Sequence, residues 1–414
     1  MNLYKTLLSL TLILSGLTDL TRKFSFGPIS SQGVLTILLA GASWFLVLSR
    51  SRMPKAVLST SCLVLFILSN LIIWFWFSSK SSLPIVNAIQ NQAVFLAFVG
   101  FTILSITQSY RTFDPPEYIS HTFTRAAQIS VGLYGLSIVL GGPGTSSIMG
   151  ARSFALFAII GLAWFLAWWR YRLPGGFLWS ISTTIAIAFS FSRTAAIICL
   201  ILFPLSQISL TTIKGWVRLI ATICLIITVS YLAFTFVEPI RARFTDVGDN
   251  ATVGGVKINT AGRGAAWPIA YESALQSPWI GKGPGSVTIA LKAAGPAFDH
   301  PHNDYLRIFH DYGLIGTLLW FLGYFGLMAK TWQNWQWADR NDRTVAHIHL
   351  AAFLALVAVA LGMLSDNVVV YIFSMNPLGI LVGASIGNGS RRRKEINSDR
   401  DWSLVSGNLG KLVT

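Results

Sequence analysis

Charge is scarce in this chain. Only 11% of its 414 residues are Asp, Glu, Lys or Arg, and acids are the scarcer sign, 16 against 31 basic residues. A water-soluble chain of this length carries about a quarter of its residues as charges, so a soluble globular protein is excluded. Cysteine is rarer still. Cys62, Cys199 and Cys224 all lie inside apolar blocks, where they read as small core residues and imply no disulfide framework. No internal repeat is visible. No small-residue cleavage site follows the apolar block at 7–17, so that block reads as a retained first span and not as a signal peptide.

What is present is apolar. The hydrophobic share is 53%, with 27 Phe and 15 Trp, and the mean hydropathy is +0.60. The apolar residues come in blocks long enough to cross a bilayer, which takes roughly 20 residues per helix. The pattern predicts an all-α polytopic membrane protein of about 12 transmembrane helices, near 4–20, 33–49, 56–78, 88–109, 123–141, 153–170, 175–191, 194–212, 217–236, 312–329, 343–364 and 367–388. One connection differs from the rest: 237–311 is long, polar and rich in Gly. The tail from 389 is polar and basic and reads as disordered from about 395.

The formal charge of +15 would suggest nucleic acid in a soluble protein. Here the basic residues are scattered between spans, and the positive-inside rule accounts for them. With the N-terminus inside, inner segments carry Lys5, Arg50, Arg52, Lys55, Arg111, Arg125, Arg170, Arg172, Lys214, Arg218, Lys330, Arg340, Arg343 and the Arg391–Lys394 run, whereas outer short loops carry Arg22, Lys23, Lys80, Arg152 and Arg193. The bias places both ends in the cytoplasm and the long loop outside. Long loops are exempt from the rule, so Arg241, Arg243, Lys257, Arg263, Lys282, Lys292 and Arg307 in that loop need another reason.

The loop holds the chemistry. Gly262-Arg263-Gly264 opens a helical segment at 265–276, in which Trp267, Tyr271 and Leu275 make one apolar face at fourfold spacing. Such a segment lies on the membrane or packs against the bundle. Gly281-Lys282-Gly283-Pro284-Gly285 is a turn where backbone approaches a neighbour or ligand closely; it lacks phosphate-loop spacing, and an anion nest competes with a plain tight turn. Arg263 offers a planar fork of donors for a diphosphate, against a solvated or headgroup-bound arginine. Arg193, in Ser192-Arg193-Thr194 between two apolar blocks, is a charge beside hydrocarbon that faces a cavity or snorkels outward. His302, in His300-Pro301-His302-Asn303-Asp304, is the candidate general base, histidine being the side-chain type that can take up and release a proton under ordinary conditions. Asn303 would orient it or bind a sugar hydroxyl. His300 is a second candidate base, Asp299 and Asp304 weaker ones. Asp366-Asn367 at an outer boundary is either a sugar contact or a loop acid. No metal is expected, because His300-x-His302 with Asp304 lacks a convincing further ligand.

At these residues the chain resembles the O-antigen ligase-like superfamily of O-antigen ligases, O-antigen and exopolysaccharide polymerases and certain protein O-oligosaccharyltransferases. The family pattern of His, then Asn, Ser or Gln, nine residues, Gly-x-x and Gly, Thr or Tyr reads here as His302, Asn303, 304–312, Gly313 and Gly316. The family's arginine opening a surface helix resembles Arg263, its Gly-x-Gly-x-Gly turn 281–285, and its Ser-Arg-Thr-Ala 192–195. The clear resemblance covers about 190–330; Asp311 stands where a Glu is expected. The resemblance implies three parts: N-terminal transmembrane helices over 1–189, the ligase-like region over 190–388 including the loop 237–311, and a cytoplasmic basic tail over 389–414. It also implies a GT-C-like glycosyltransferase of a bacterial inner membrane with its active site outside, acting in surface polysaccharide and lipopolysaccharide assembly. The donor would be a glycan on undecaprenyl diphosphate and the acceptor lipid A-core or another lipid-linked repeat. Neither metal nor nucleotide sugar is implied. His302 would deprotonate the acceptor hydroxyl for an inverting attack, with Arg263 and Arg193 on the departing diphosphate. His300, Asn303, Asp304, Trp267, Gly283, Gly285 and Arg307 would contact substrate.

Two other classes fit the composition. A transporter or flippase for lipid-linked sugar would show paired charges in spans and broken helices in matching halves, and no such symmetry is visible. A noncatalytic assembly protein gives no reason for a base and two arginines around one loop.

Overall fold

The computed structural model describes residues 3–17, 20, 25–26, 29–78, 85–111, 115–207, 213–238, 241, 250–253, 256–259, 262–295 and 300–412. Gly254-Gly255 and the weaker base candidate Asp299 lie outside the described residues, as do 242–249 of the long loop. In hydrocarbon a backbone must satisfy its own N–H and C=O groups, which a helix does within one segment. The chain follows that rule: α1 (Leu3–Leu17), α2 (Ser31–Leu48), α3 (Ser61–Ser78), α4 (Ile85–Arg111), α5 (Pro115–Gly141), α6 (Ala151–Arg170), α7 (Gly176–Phe189), α8 (Arg193–Gln207), α9 (Ile213–Phe236), α10 (Arg263–Leu275), α11 (Ser286–Ala294), α12 (Asp304–Asn341), α13 (Arg343–Met363) and α14 (Ile372–Leu412). Two small antiparallel hairpins, Ser25–Phe26 with Ile29–Ser30 and Asn250–Val253 with Val256–Asn259, lie between them.

The protein is a polytopic helical membrane protein. Among the described residues, eight helical segments are long and apolar enough to cross a membrane: α2, α3 with the 3-10 turn before it, α4, α5, α6, α9, α12 and α13. The other four expected spans fall on the shorter α1, α7 and α8 and on the first half of α14. The tail expected to be disordered continues α14 as helix to Leu412, with Arg391 and Glu395 paired at 2.8 Å one turn apart.

The core is built on α6, whose residues from Phe154 to Ala167 are all buried, and on the contact of α4 with α14. Gly379, Gly383 and Gly387 make a stripe on α14 at fourfold spacing. A Cβ on Gly379 would sit 2.7 Å from the Phe98 carbonyl oxygen, and one on Gly383 or Gly387 would overlap the carbonyls of Thr102 and Ile106. Apolar packing gains little when lipid is as apolar as the protein, so close backbone approach at small residues holds such helices together. Ser105 reinforces the seam by donating to the Ile380 carbonyl at 2.7 Å.

The chain ends of successive helices gather at two poles. One pole holds Arg50, Arg111, Tyr171, Asp339 and Arg393, joined by Arg50–Gln108 at 3.1 Å and Tyr171–Asp339 at 2.8 Å. The other holds the starts of α6, α8, α10 and α12 and the α13–α14 connection.

Candidate functional site

The site is built on a turn that only tertiary packing holds. His302 has φ +50, the left-handed region that non-glycine residues seldom occupy. Asn303 follows in extended conformation and caps α12, its Oδ1 accepting the Leu306 N–H at 3.0 Å. Asp304 is fully buried, and its Oδ2 accepts the N–H groups of Val368 at 2.5 Å and Val369 at 2.9 Å. These bonds fasten the start of α12 to the α13–α14 connection. The strain at His302 is thus overdetermined by its neighbours, as is common where a side chain must be aimed.

The imidazole is aimed at that connection. His302 Nδ1 lies 2.8 Å from Arg152 Nη2, 3.4 Å from Asn367 Nδ2 and 3.9 Å from Asp366 Oδ1. Arg152 also bonds Asp366 directly. Burial pushes the Asp366 carboxyl up, but the His302 ring and the Arg152 guanidinium outweigh it and hold the carboxyl below its ordinary value. Asp366 therefore stays ionised beside the imidazole.

Two further segments reach the residue next door. Arg263, the first residue of α10, donates from Nη2 to the Ser365 carbonyl at 2.8 Å. Arg193 opens α8, and its neighbour Thr194 bonds the Ser365 hydroxyl at 2.9 Å. His302, Arg263 and Thr194, the residue after Arg193, thus converge on 365–367 from three separated segments. Trp267 joins them, its indole donating to the Pro301 carbonyl at 2.7 Å.

His300 and Arg307 lie beside this cluster, in a polar cleft of about 400 Å³ shared with Gln90, Asn91, Lys292 and Tyr371. Arg307 is buried, and its Nη1 has no partner among the described residues.

Gly283 and Gly285, expected to contact substrate, are occupied by the protein itself. Gly283 N–H bonds the Asp311 carbonyl at 2.8 Å, and Gly285 N–H bonds the Asp311 carboxylate at 2.8 Å. Val287 N–H and Ser286 Oγ reach the same carboxylate at 3.0 Å, and Lys282 is tied to Ser273 and Gln276. The positive start of α11 does attract an anion, but that anion is Asp311. The turn is a structural clasp, and the N–H groups of its two glycines already have partners. Gly313, with φ +63, kinks α12 where it crosses this clasp, so close to the backbone of Ile280 and Gly281 that a Cβ would sit 2.5 Å from either nitrogen. Asp311→Ala leaves these donors unpaired and should cost about 3 kcal/mol, read as a lowered thermal midpoint of the detergent-solubilised protein; an unchanged midpoint would remove the clasp assignment.

On α10, Ala266 and Ala270 pack against Val287 and Leu291, and Ala274 is buried as well, whereas Tyr271 and Leu275 are half exposed. Alanine lets α10 approach closely, and the larger face turns outward.

Sequence reasoning missed Arg152, read as a topological charge, and Ser365. Arg152 carries a weaker signal than Arg193: it too stands at the start of an apolar span, but a Gly- and Ser-containing loop precedes it. Ser365 carries none, because it acts through a backbone carbonyl.

The fold and the site define a polytopic membrane protein with a histidine and several arginines gathered at one pole of its helical bundle. A family model described as O-antigen ligase matches residues 176–321, from the start of α7 into the membrane half of α12. The match includes Arg193, Arg263 and His302 but neither Arg152 nor 365–367. This stretch, about a third of the chain, is similar to the O-antigen ligase family. No curated protein matches the chain.

Proposed function

We propose that the protein is an inverting glycosyltransferase of the O-antigen ligase and polymerase type, moving a glycan from undecaprenyl diphosphate to a hydroxyl of lipid A-core or of another lipid-linked repeat. The pole carrying His302 is the extracytoplasmic one, in keeping with the Lys and Arg bias of the loops. The observation that carries the reading is the convergence of His302, Arg263 and Thr194, the residue after Arg193, on 365–367.

The acceptor hydroxyl gives its proton to His302 Nε2 as its oxygen attacks the anomeric carbon. The bond from that carbon to the phosphate oxygen breaks, and the electron pair leaves with the diphosphate. Arg263 and Arg193 stabilise that charge without themselves changing protonation. Arg152 has only donors to offer. While it bonds Nδ1, the imidazole proton sits on Nε2, which cannot then act as a base. A donor diphosphate that draws Arg152 away frees Nδ1 to carry the proton toward Asp366 and leaves Nε2 open. The base is thereby armed by the substrate.

The test is transfer by purified protein from a polyprenyl-diphosphate-linked oligosaccharide in the presence of EDTA. Arg263→Ala is expected to lower kcat about 10²-fold, with partial recovery in Arg263→Lys. Product on lipid A-core identifies a ligase, and a ladder of longer lipid-linked glycans a polymerase. Donor binding without turnover on either acceptor would overturn the reading.

A further inference from the structure

The pole opposite His302 carries a second cationic feature that transfer chemistry does not use. The turn between α6 and α7 lines a cleft of about 560 Å³, and an adjoining cleft of about 510 Å³ shares Arg172 and Leu173 with it and adds Arg343. No carboxylate lines either cleft. Among the described residues neither Arg172 nor Arg343 has an ion-pair partner; Arg343 donates Nε to the Asp339 carbonyl at 3.3 Å.

Arg172 is strained in place. Its φ is +57, in the position just past the end of a helix that glycine normally fills. The turn around it is rigid: Arg172 N–H bonds Trp169 O at 3.0 Å, Leu173 N–H bonds Trp168 O at 2.9 Å, and Gly176 packs so tightly that a Cβ would lie 2.5 Å from Trp169 N. A glycine would satisfy this backbone better, so the arginine side chain is the feature the fold tolerates strain to keep. The rim is apolar and open. Phe177 and Leu178 are 56% and 63% exposed at the start of an apolar helix. Unpaired guanidinium groups beside exposed apolar side chains suit an amphiphile, with a phosphate in the clefts and acyl chains along the rim.

We infer that Arg172 and Arg343 form a binding site for the phosphate headgroup of an anionic glycerophospholipid in the leaflet opposite the His302 pole. The inference stands independently of the transfer reaction.

The experiment is native mass spectrometry of the delipidated full chain in detergent, titrated with phosphatidylglycerol or phosphatidylcholine. Wild type is expected to retain phosphatidylglycerol at least tenfold more tightly. Arg172→Gly relieves the backbone and removes the charge, so it should keep or raise the thermal midpoint while losing the preference. Arg343→Gln should weaken it on an unstrained backbone, and Arg125→Gln, a basic residue of the same pole outside both clefts, should leave it intact. Undiminished preference in both Arg172→Gly and Arg343→Gln would overturn the site. Displacement of the lipid by millimolar inorganic phosphate would overturn the lipid assignment in favour of a free-anion site.

Discussion

Replacing His302 with glycine is expected to lower the rate of glycan transfer about 10³-fold, the loss typical of removing a general base, while the protein stays folded. Glycine is the informative substitution because the position has φ +50. Alanine there would keep a strain of about 1–2 kcal/mol and mix a backbone effect into the kinetics. The turn does not depend on the imidazole for its shape. Asn303 caps α12, Asp304 grips Val368 and Val369, and Trp267 holds Pro301. Glycine leaves all three in place, and the space it opens beside Arg152, Asp366 and Asn367 can admit added imidazole. Single-turnover transfer, measured with and without imidazole, should show the loss and a partial rescue. A rate within a few-fold of wild type would remove His302 as the base. Loss without rescue, together with weakened donor binding, would make it a binding residue.

The second large effect is on assembly. Gly383→Leu is expected to destabilise the bundle by about 3 kcal/mol or more, the upper range for overpacking, because its Cβ would collide with the Thr102 carbonyl and not with a side chain that can turn away. A backbone collision separates α14 from α4 and pulls on the α13–α14 connection that holds Asp366. Gly326→Leu on α12 is the control, since nothing lies within 4 Å of the Cβ it would add. The readouts are the yield of monodisperse protein in detergent and its thermal midpoint. Equal behaviour of the two variants would mean that the glycine stripe does not hold the seam.

Much of this protein is legible without its structure. Apolar blocks separated by short basic loops predict a helical membrane protein because hydrocarbon leaves the backbone few alternatives. His302, Arg193 and Arg263 stand out because ionisable groups beside apolar spans are costly and need a reason. The site could not be completed this way. Its centre, 365–367, comes from a connection far along the chain and contributes a serine carbonyl, an acid and an amide that carry no pattern. Arg152 follows a polar loop and reads as one more topological charge. The glycine turn at 281–285 left an anion nest and a plain tight turn open: a sequence can show that backbone N–H groups lie at a helix start, but not that Asp311, 26 residues beyond Gly285, fills them.

The sequence by itself determined the solvent and the helices and singled out His302, Arg193 and Arg263, because these follow from composition, spacing and side-chain type. The tertiary structure alone decided which groups meet. It brought His302 to Asp366 and Arg152, set Asp311 on the start of α11, and turned the alanine face of α10 inward. Those outcomes depend on where long-range packing brings separated backbones together, and no local rule of the chain contains that distance.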